Sequence, residues 1–596
     1  MSKYEILLKI LDQIRSEAPP EYKSYHKTKN IEELNQARSK AFIHLFLKVK
    51  CGLTSFKDRH NLICDKCGDG GLDAFYIDTE HKRLFLIQSK FRTKEDNFIS
   101  KSLTADDLIK IEVNRILKGE TQDSKGNDFN SKVKQFQSVW SQMGDQAKYN
   151  YKVVFLGNLK NYSDNQIRRL IDFSNYEIFD FTRTYNELVY PLCSGTYYDP
   201  KEITIKINLY KKQQSTLKQT ITTKNGDYDV IVIYVPTEEV GGVMLKYKNS
   251  LLRYNPRNYL TISRNKVNKS IRDSIVITDT NDFALFNNGI TILADDCEVS
   301  DYTGKKFEGQ LIMTNPQIIN GGQTAYTLSK IYEQNVQSEK NVFDGKEVLF
   351  KIIILKEDEE DPNLDFIETI SNATNKQTSV DEADRRSNDS MQIKIQKMIY
   401  QEFGYFYERK RGEFYNGEEN KYLDPYLIIN RYDFLRAYYA LRGNPRWARQ
   451  RGKEILFRLD TFKQILDTPS NYKKMFFAWL ILDLLFELDY CVSKNDWVDY
   501  EDFKDIKYGQ SLRYGKMAVI AAIGLKELDK SKLTKEDIEE YVEEKVKKVL
   551  IKWEDFEKEI RTKPKNKDYF EDEPDFDNYY KGKTIDEDVK KFFSKK

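Results

Sequence analysis

Residues 69–90 read DGGLDAFYIDTEHKRLFLIQSK, and this stretch decides the fold of the N-terminal third of the chain. Two apolar runs, LDAFYID and RLFLIQS, flank a polar TEHK turn, so the spacing predicts a β-hairpin. The second run ends in Gln88-Ser89-Lys90 where a buried strand ordinarily meets turn residues. Side chains alternate along a strand, so Gln88 and Lys90 share one face and Ser89 takes the other. Hairpin pairing brings Asp73 to the open end beside them. An acid, an amide oxygen and a backbone carbonyl can hold a hard divalent cation such as Mg²⁺ through oxygen. A lysine there can position the attacking water or steady the charge of a phosphodiester under attack. The glycines at 68, 70 and 71 let a substrate backbone approach closely.

Working outward, IEELNQARSKAFIHLFLKVK (31–50) carries its apolar residues at helical spacing, as does the N-terminal MSKYEILLKILDQIRSEAPP, in which no secretory signal is visible. Downstream lie a helical pattern ending in VKQFQSVWSQM, then the strand-like YKVVFLGN (151–158) and YEIFDFT (176–182). Helix, strand, strand, helix, strand is an α/β layout complete by residue 198. The pattern D-(x14)-Q-x-K in this setting resembles the PD-(D/E)XK nuclease superfamily. It looks most like the Mrr-like, restriction-endonuclease-like branch in which Gln replaces the acid. The resemblance implies an αβββαβ core and a Mg²⁺ or Mn²⁺ cofactor held by Asp73 and Gln88. Lys90 would be catalytic with them, and an acid from the first core helix, Glu33 with Glu32 in reserve, would join the set. The literal PD dipeptide is missing, since Leu72 precedes Asp73. Read from the residues alone, Gln88 and Lys90 can equally be the solvated end of a strand. Cys64-x2-Cys67, with Cys51 and His60 nearby, offers four zinc-type ligands at irregular spacing, and incidental loop cysteines are the expectation.

Composition sets limits on the rest. At 596 residues the chain is too long for one core, and two to four domains are expected. A net charge of +2 carries no global signature of a nucleic-acid binder, so any basic surface is local. MFFAWLILDLLFEL (475–488) is interrupted by Asp483 and Glu487 and reads as a buried core helix, so no membrane partner is expected. The six scattered cysteines suit a reducing, cytoplasmic location. All four histidines lie within the first 81 residues, which excludes a Ser-His-Asp site seated wholly in the C-terminal part.

The resulting division is 1–198, a nuclease-like domain; 199–424, a central α+β domain; and 425–596, a helical C-terminal region. The expected class is thus multidomain α/β plus α, and the charged end DEPDFDNYYKGKTIDEDVKKFFSKK is expected to be loosely held. In the central domain FNNGITI (286–292) and NPQIINGGQTAYTL (315–328) border apolar strands. Their Asn-Gly turns can present backbone N–H groups to an anion, with Gln323 and Thr324 adding donors at a helix N-terminus. They can also be simple tight turns. No Walker-type phosphate loop is present.

NNGITI, INGGQTAYTL, TNKQTSVDEADRRSND (374–389) and GYFYERKRGEF (404–414), in this order, resemble the AIPR (abortive infection phage resistance) family over about 200–470. LLRYNPRNYLTISRNKVNKSI and LRGNPRWARQRGKEILF fit in degenerate form. The resemblance implies prokaryotic antiviral defence. Within these motifs Asn288, Asn320, Gly321, Gly322, Gln323, Thr324, Asn375, Gln377, Arg385, Arg386, Arg409 and Lys410 read as a pocket for an anionic ligand. A nucleotide or a nucleic-acid backbone would suit it. The combined expectation is a Mg²⁺-dependent endonuclease, acting on DNA ahead of RNA, whose central domain binds a nucleotide or nucleic acid and controls cleavage. A non-catalytic nucleic-acid-binding scaffold, or a nucleotide hydrolase in the central domain, are the alternatives. A homo-oligomer and partner proteins of a defence operon are the expected associations.

Overall fold

The computed structural model describes residues 2–594 except 65–66, 110, 174, 199–200, 210–215, 225, 256–265, 301–307, 336–340, 356–366, 368, 372, 374–381, 451, 467 and 572–573. The chain forms two compact units. One comprises Met1–Ile367 with Gly412–Pro425, the other Glu368–Arg411 with Tyr426–Lys596.

The first unit opens with two amphipathic helices, α1 (Lys3–Ser16) and α2 (Ile31–Lys50), each begun by a side-chain cap from Ser2 and Asn30. The predicted hairpin follows as β1 (Ala74–Asp78) and β2 (Arg83–Ser89), paired antiparallel with Ala74 opposite Ile87. After helix α3 (Ser131–Ser141), β3 (Asn150–Leu156) joins β2 in parallel. Helix α4 (Asp164–Ile171) then leads into β4 (Tyr176–Phe179), parallel to β3. The strand order is β1-β2-β3-β4. Strand alternation turns Phe85 toward Phe46 of α2 and Phe75 toward Phe136 of α3, so helices cover both faces of the sheet.

Two strands, where three were expected, precede the first crossover. Ahead of β1 there is only an isolated bridge between Ile63 and Ala74. The cause is local: Gly68, Gly70 and Gly71 all take positive φ, which ends extended backbone before residue 72.

Next come β5 (Glu202–Asn208), β6 (Leu217–Thr223), β7 (Gly226–Pro236) and helix α5 (Thr237–Tyr247). Strands β8 (Ile290–Ala294), β9 (Asp296–Ser300), β10 (Glu308–Thr314) and β11 (Gln317–Asn320), helix α6 (Gly322–Asn335) and β12 (Glu347–Ile354) complete this part. They form a three-stranded sheet, β5-β10-β9, and a five-stranded one, β11-β8-β12-β7-β6. Ahead of the NNG turn, Phe283–Phe286 form a short helix. The segment Gly412–Pro425 belongs here because Tyr422 donates to Glu17 Oε1 at 2.8 Å and Asn416 Nδ2 to the Leu192 carbonyl at 2.8 Å.

The second unit is mainly helical, built from α7 (Ser390–Phe403), a small parallel pair β13 (Phe406–Glu408) and β14 (Ile428–Asn430), then α8 (Arg431–Leu441), α9 (Tyr472–Lys494) and α10 (Lys516–Gly524). The greasy stretch 475–488 lies in α9 with its apolar residues buried except Phe486, and among the described residues no helix is long and apolar enough to cross a membrane. The C-terminal end is not loosely held. Phe576, Tyr579 and Tyr580 of α11 (Phe576–Lys581) and Ile585, Val589, Phe592 and Phe593 of α12 (Ile585–Ser594) are buried in the helical core. Helical spacing of apolar groups outweighs the charges between them.

Candidate functional site

The hairpin register places Asp73, one step before the Ala74–Ile87 pair, opposite Gln88, and the Asp73 N–H donates to the Ile87 carbonyl at 2.9 Å. Opposed residues share a sheet face, so Asp73 and Gln88 project together, with Lys90 two positions on. The Asp73 carboxylate accepts the backbone N–H of Ser89 at 2.6 Å, which ties the two strand ends. Lys90 continues the ladder by donating its own N–H to the Leu156 carbonyl of β3 at 2.9 Å.

Gln88 is held in one orientation. Its Nε2 donates to the Asp107 carbonyl at 2.8 Å, and a carbonyl can only accept, so the amide oxygen must point the other way. That oxygen, Oε1, is buried and accepts no hydrogen bond. Buried polar atoms are almost always partnered, and the exceptions call for a ligand or water. An orphaned amide oxygen beside a carboxylate fits a hard divalent cation.

Asp107 is the acid that sequence reasoning missed. Its Oδ1 lies 3.5 Å from Lys90 Nζ, and Oδ2 accepts the N–H and hydroxyl of Thr104 at 3.1 and 2.9 Å. Burial opposes ionisation, but the Thr104 bonds and the Lys90 ammonium together hold the carboxyl below its ordinary range. The signal was available: TADD (104–107) has the spacing of a capping box.

Glu33 keeps different company. It sits in the first turn of α2, its N–H donating to Asn30 Oδ1 and its Oε1 3.5 Å from Lys27 Nζ, while its Oε2 is buried and accepts no hydrogen bond. Helix α2 covers the Phe85 face of the sheet, and Gln88 alternates onto the other.

A cleft of about 260 Å³ opens at the carboxyl ends of β2, β3 and β4. Lys90, Arg92, Lys101, Gly157 and Asn158 contribute to its lining. Among the described residues Arg92 and Lys101 have no carboxylate partner, so the local surface is cationic where the whole chain is almost neutral. At the far end of the hairpin Asp78, Glu80 and His81 also lie close together. Their carboxylates are already engaged, Asp78 by Arg83 at 2.6 Å and Glu80 by Lys246 at 2.6 Å. The zinc-type ligands are dispersed in character: Cys51 and Cys64 are buried, Cys67 is exposed, and His60 bonds Tyr25.

The remaining candidate residues fall on both units. In the first, Asn287 Oδ1 accepts the Gly289 N–H at 2.9 Å while its Nδ2 donates to Thr324 Oγ1 at 3.2 Å, and Asn320 Oδ1 accepts the Gly321 N–H at 2.7 Å. Gly289 and Gly321 have φ of 79° and 85°, and a Cβ on Gly321 would lie 2.8 Å from the Gly289 carbonyl oxygen. The NNG and NGG turns thus interlock at the start of α6, with Gly322 and Thr324 buried, Gln323 half-buried and Asn288 exposed. In the second unit, Arg409 donates to Gln396 Oε1 at 2.9 Å and to the Ser387 carbonyl at 2.8 Å, and Arg385 pairs with Glu382 at 2.6 Å. Lys410 is buried and Arg386 half-buried. Asp384, fully buried, pairs with Arg431 at 2.6 Å and with Arg411 at 3.5 Å, and the second pair docks the DEADRR and YERKR motifs on one another. Asn375 and Gln377 lie outside the described residues.

Residues 252–565, more than half of the chain, match the family model described as AIPR protein. The chain belongs to the AIPR family. The match begins later than the motif range read from the sequence and runs further, through most of the C-terminal helices. The N-terminal sheet lies outside it. No curated protein and no solved structure matches the chain.

Proposed function

We propose that this AIPR protein is a metal-dependent nuclease of a phage-defence system, with the cut made at the N-terminal sheet. The observation that carries the reading is the meeting of Asp73, Gln88 and Lys90 at one strand end, with a buried amide oxygen left without a partner. Asp73 and Gln88 would hold Mg²⁺ or Mn²⁺, which supplies Lewis acidity when bound. Lys90 faces the same side and would stabilise the negative charge that develops on the phosphoryl oxygens of a phosphodiester, while the Asp107 carboxylate keeps its ammonium in place. Arg92 and Lys101 offer the neighbouring phosphates of a strand their counter-charges. DNA is the substrate we favour. Membership of the AIPR family supports the role in abortive infection.

The test is cleavage of duplex DNA by Asp73→Asn beside wild type, with Mn²⁺ as well as Mg²⁺. The reading expects cleavage to fall at least a thousandfold while the thermal transition is retained. Equal cleavage by both proteins would remove Asp73 from the chemistry and the reading with it.

A further inference from the structure

A second cavity, of about 390 Å³ with its mouth, lies in the first unit between α5, α6 and the helical turn Tyr415–Glu419. The lining is polar: Lys248, Lys330, Glu333, Glu419 and Asn420 bring five hydrogen-bonding side chains to it.

The charges there are unevenly shared. Lys330 Nζ lies 3.2 Å from Glu333 and 3.6 Å from Glu419, so one ammonium serves two carboxylates. Lys248 makes no hydrogen bond or ion pair among the described residues, and its Nζ lies 5.7 Å from the centre of the Tyr197 ring. The cavity therefore has on one wall an ammonium that rests over the Tyr197 ring with no carboxylate paired to it among the described residues, and on another a surplus of acid. Burial pushes the Lys248 ammonium below the ordinary lysine range, and Lys330 adds to this against Glu333 and Glu419. A half-desolvated charge without a carboxylate partner is costly to keep.

The backbone is also held out of its ordinary range at this residue. Lys248 follows α5 with φ 48° and ψ −130°. Conformations of this kind persist in non-glycine residues when the surroundings enforce them, and they concentrate at ligand sites. The enforcing contacts come from the next residue: Asn249 donates its N–H to the Gly195 carbonyl at 2.9 Å and its Nδ2 to the Ser194 carbonyl at 2.7 Å. Lys248, immediately before this anchored residue, lines the cavity.

We propose that this cavity binds a small molecule with one anionic group, a carboxylate or a phosphate, for Lys248, and N–H or O–H donors for Glu333 and Glu419. None of these residues belongs to the strand-end site, and the inference stands whether or not that site cuts nucleic acid.

The test is thermal unfolding of the full chain with glycine, AMP or inorganic phosphate at matched ionic strength, for wild type and Lys248→Met. Glycine and AMP carry an anion and separate donors; inorganic phosphate carries the anion alone. The expected result is a saturable rise in Tm with glycine or AMP that exceeds the rise with phosphate and disappears in Lys248→Met. Without additive, Lys248→Met should melt at or above the wild-type temperature, because it removes an unpaired ammonium and keeps the chain length. No saturable rise with any of the three, an undiminished rise in the variant, or a variant that melts well below wild type would each overturn the proposal. The last of these would make Lys248 a structural residue.

Discussion

Gln88→Glu is the substitution that probes the strand-end site most sensitively. In the native structure Gln88 Nε2 donates to the Asp107 carbonyl at 2.8 Å. An ionised glutamate has no donor, so two oxygens would face each other and the carbonyl would lose its partner, a loss of about 1–3 kcal/mol. The new carboxylate would also stand opposite Asp73. Directly opposed side chains start about 5 Å apart, and two like charges at that distance repel by about 3 kcal/mol at an effective dielectric of about 20. Both groups are partly open to water, so a combined destabilisation of about 2–4 kcal/mol is expected in EDTA. Millimolar Mg²⁺ should reverse most of it, because two carboxylates then share one cation. Urea denaturation of wild type and variant, each in EDTA and in Mg²⁺, measures all four stabilities. The reasoning fails if Gln88→Glu in EDTA is as stable as wild type, or if Mg²⁺ stabilises it no more than it does wild type.

Three further predictions concern the framework. Gly321→Ala forces a Cβ to 2.8 Å from the Gly289 carbonyl oxygen at a φ of 85° and should cost about 2–4 kcal/mol by chemical denaturation; a neutral change would mean the two turns do not interlock. Asp384→Ala removes the buried carboxylate that pairs with both Arg431 and Arg411 and should destabilise the helical unit by about 3–5 kcal/mol, which a loss below 1 kcal/mol would contradict. Burial, then the nearby Glu487, pushes Asp483 of α9 up to about 6. An acid raised in the folded state disfavours folding once ionised, so this penalty is absent below about pH 4, grows between about 4 and 6 and is complete above. Asp483→Asn should therefore stabilise the protein by about 2 kcal/mol at pH 7.5 and by nothing measurable near pH 3.5, and a constant difference across that range would rule out the mechanism.

The hairpin was legible because strand alternation and a four-residue polar turn leave one register that buries Phe75, Leu84 and Leu86 together. That register alone sets Asp73 against Gln88. Asp107 was harder to see, since it arrives from a separate five-residue helix and approaches Gln88 through a backbone carbonyl, which no side-chain pattern announces. Glu33 was expected from the resemblance alone, because the buried, unpartnered state of its Oε2 is a property of the folded chain that no sequence pattern announces. The C-terminal end misled for a compositional reason: its charges are numerous, but Ile585, Val589, Phe592 and Phe593 keep one helical stripe. The central motifs were legible as distinctive strings. Their hydrogen bonds to one another depend on contacts across long sequence separations, such as Asn287 with Thr324 and Arg409 with Ser387. Lys248 gave no signal at all, because its isolation is a property of the folded cavity.

The most direct measurement is cleavage of plasmid DNA and of total RNA by full-length wild type and Lys90→Ala in parallel, with Mg²⁺, with Mn²⁺ and with EDTA. The account predicts metal-dependent cutting of DNA by wild type and none by Lys90→Ala, the two proteins melting at the same temperature. Cutting that survives in Lys90→Ala, or that proceeds in EDTA, would contradict it.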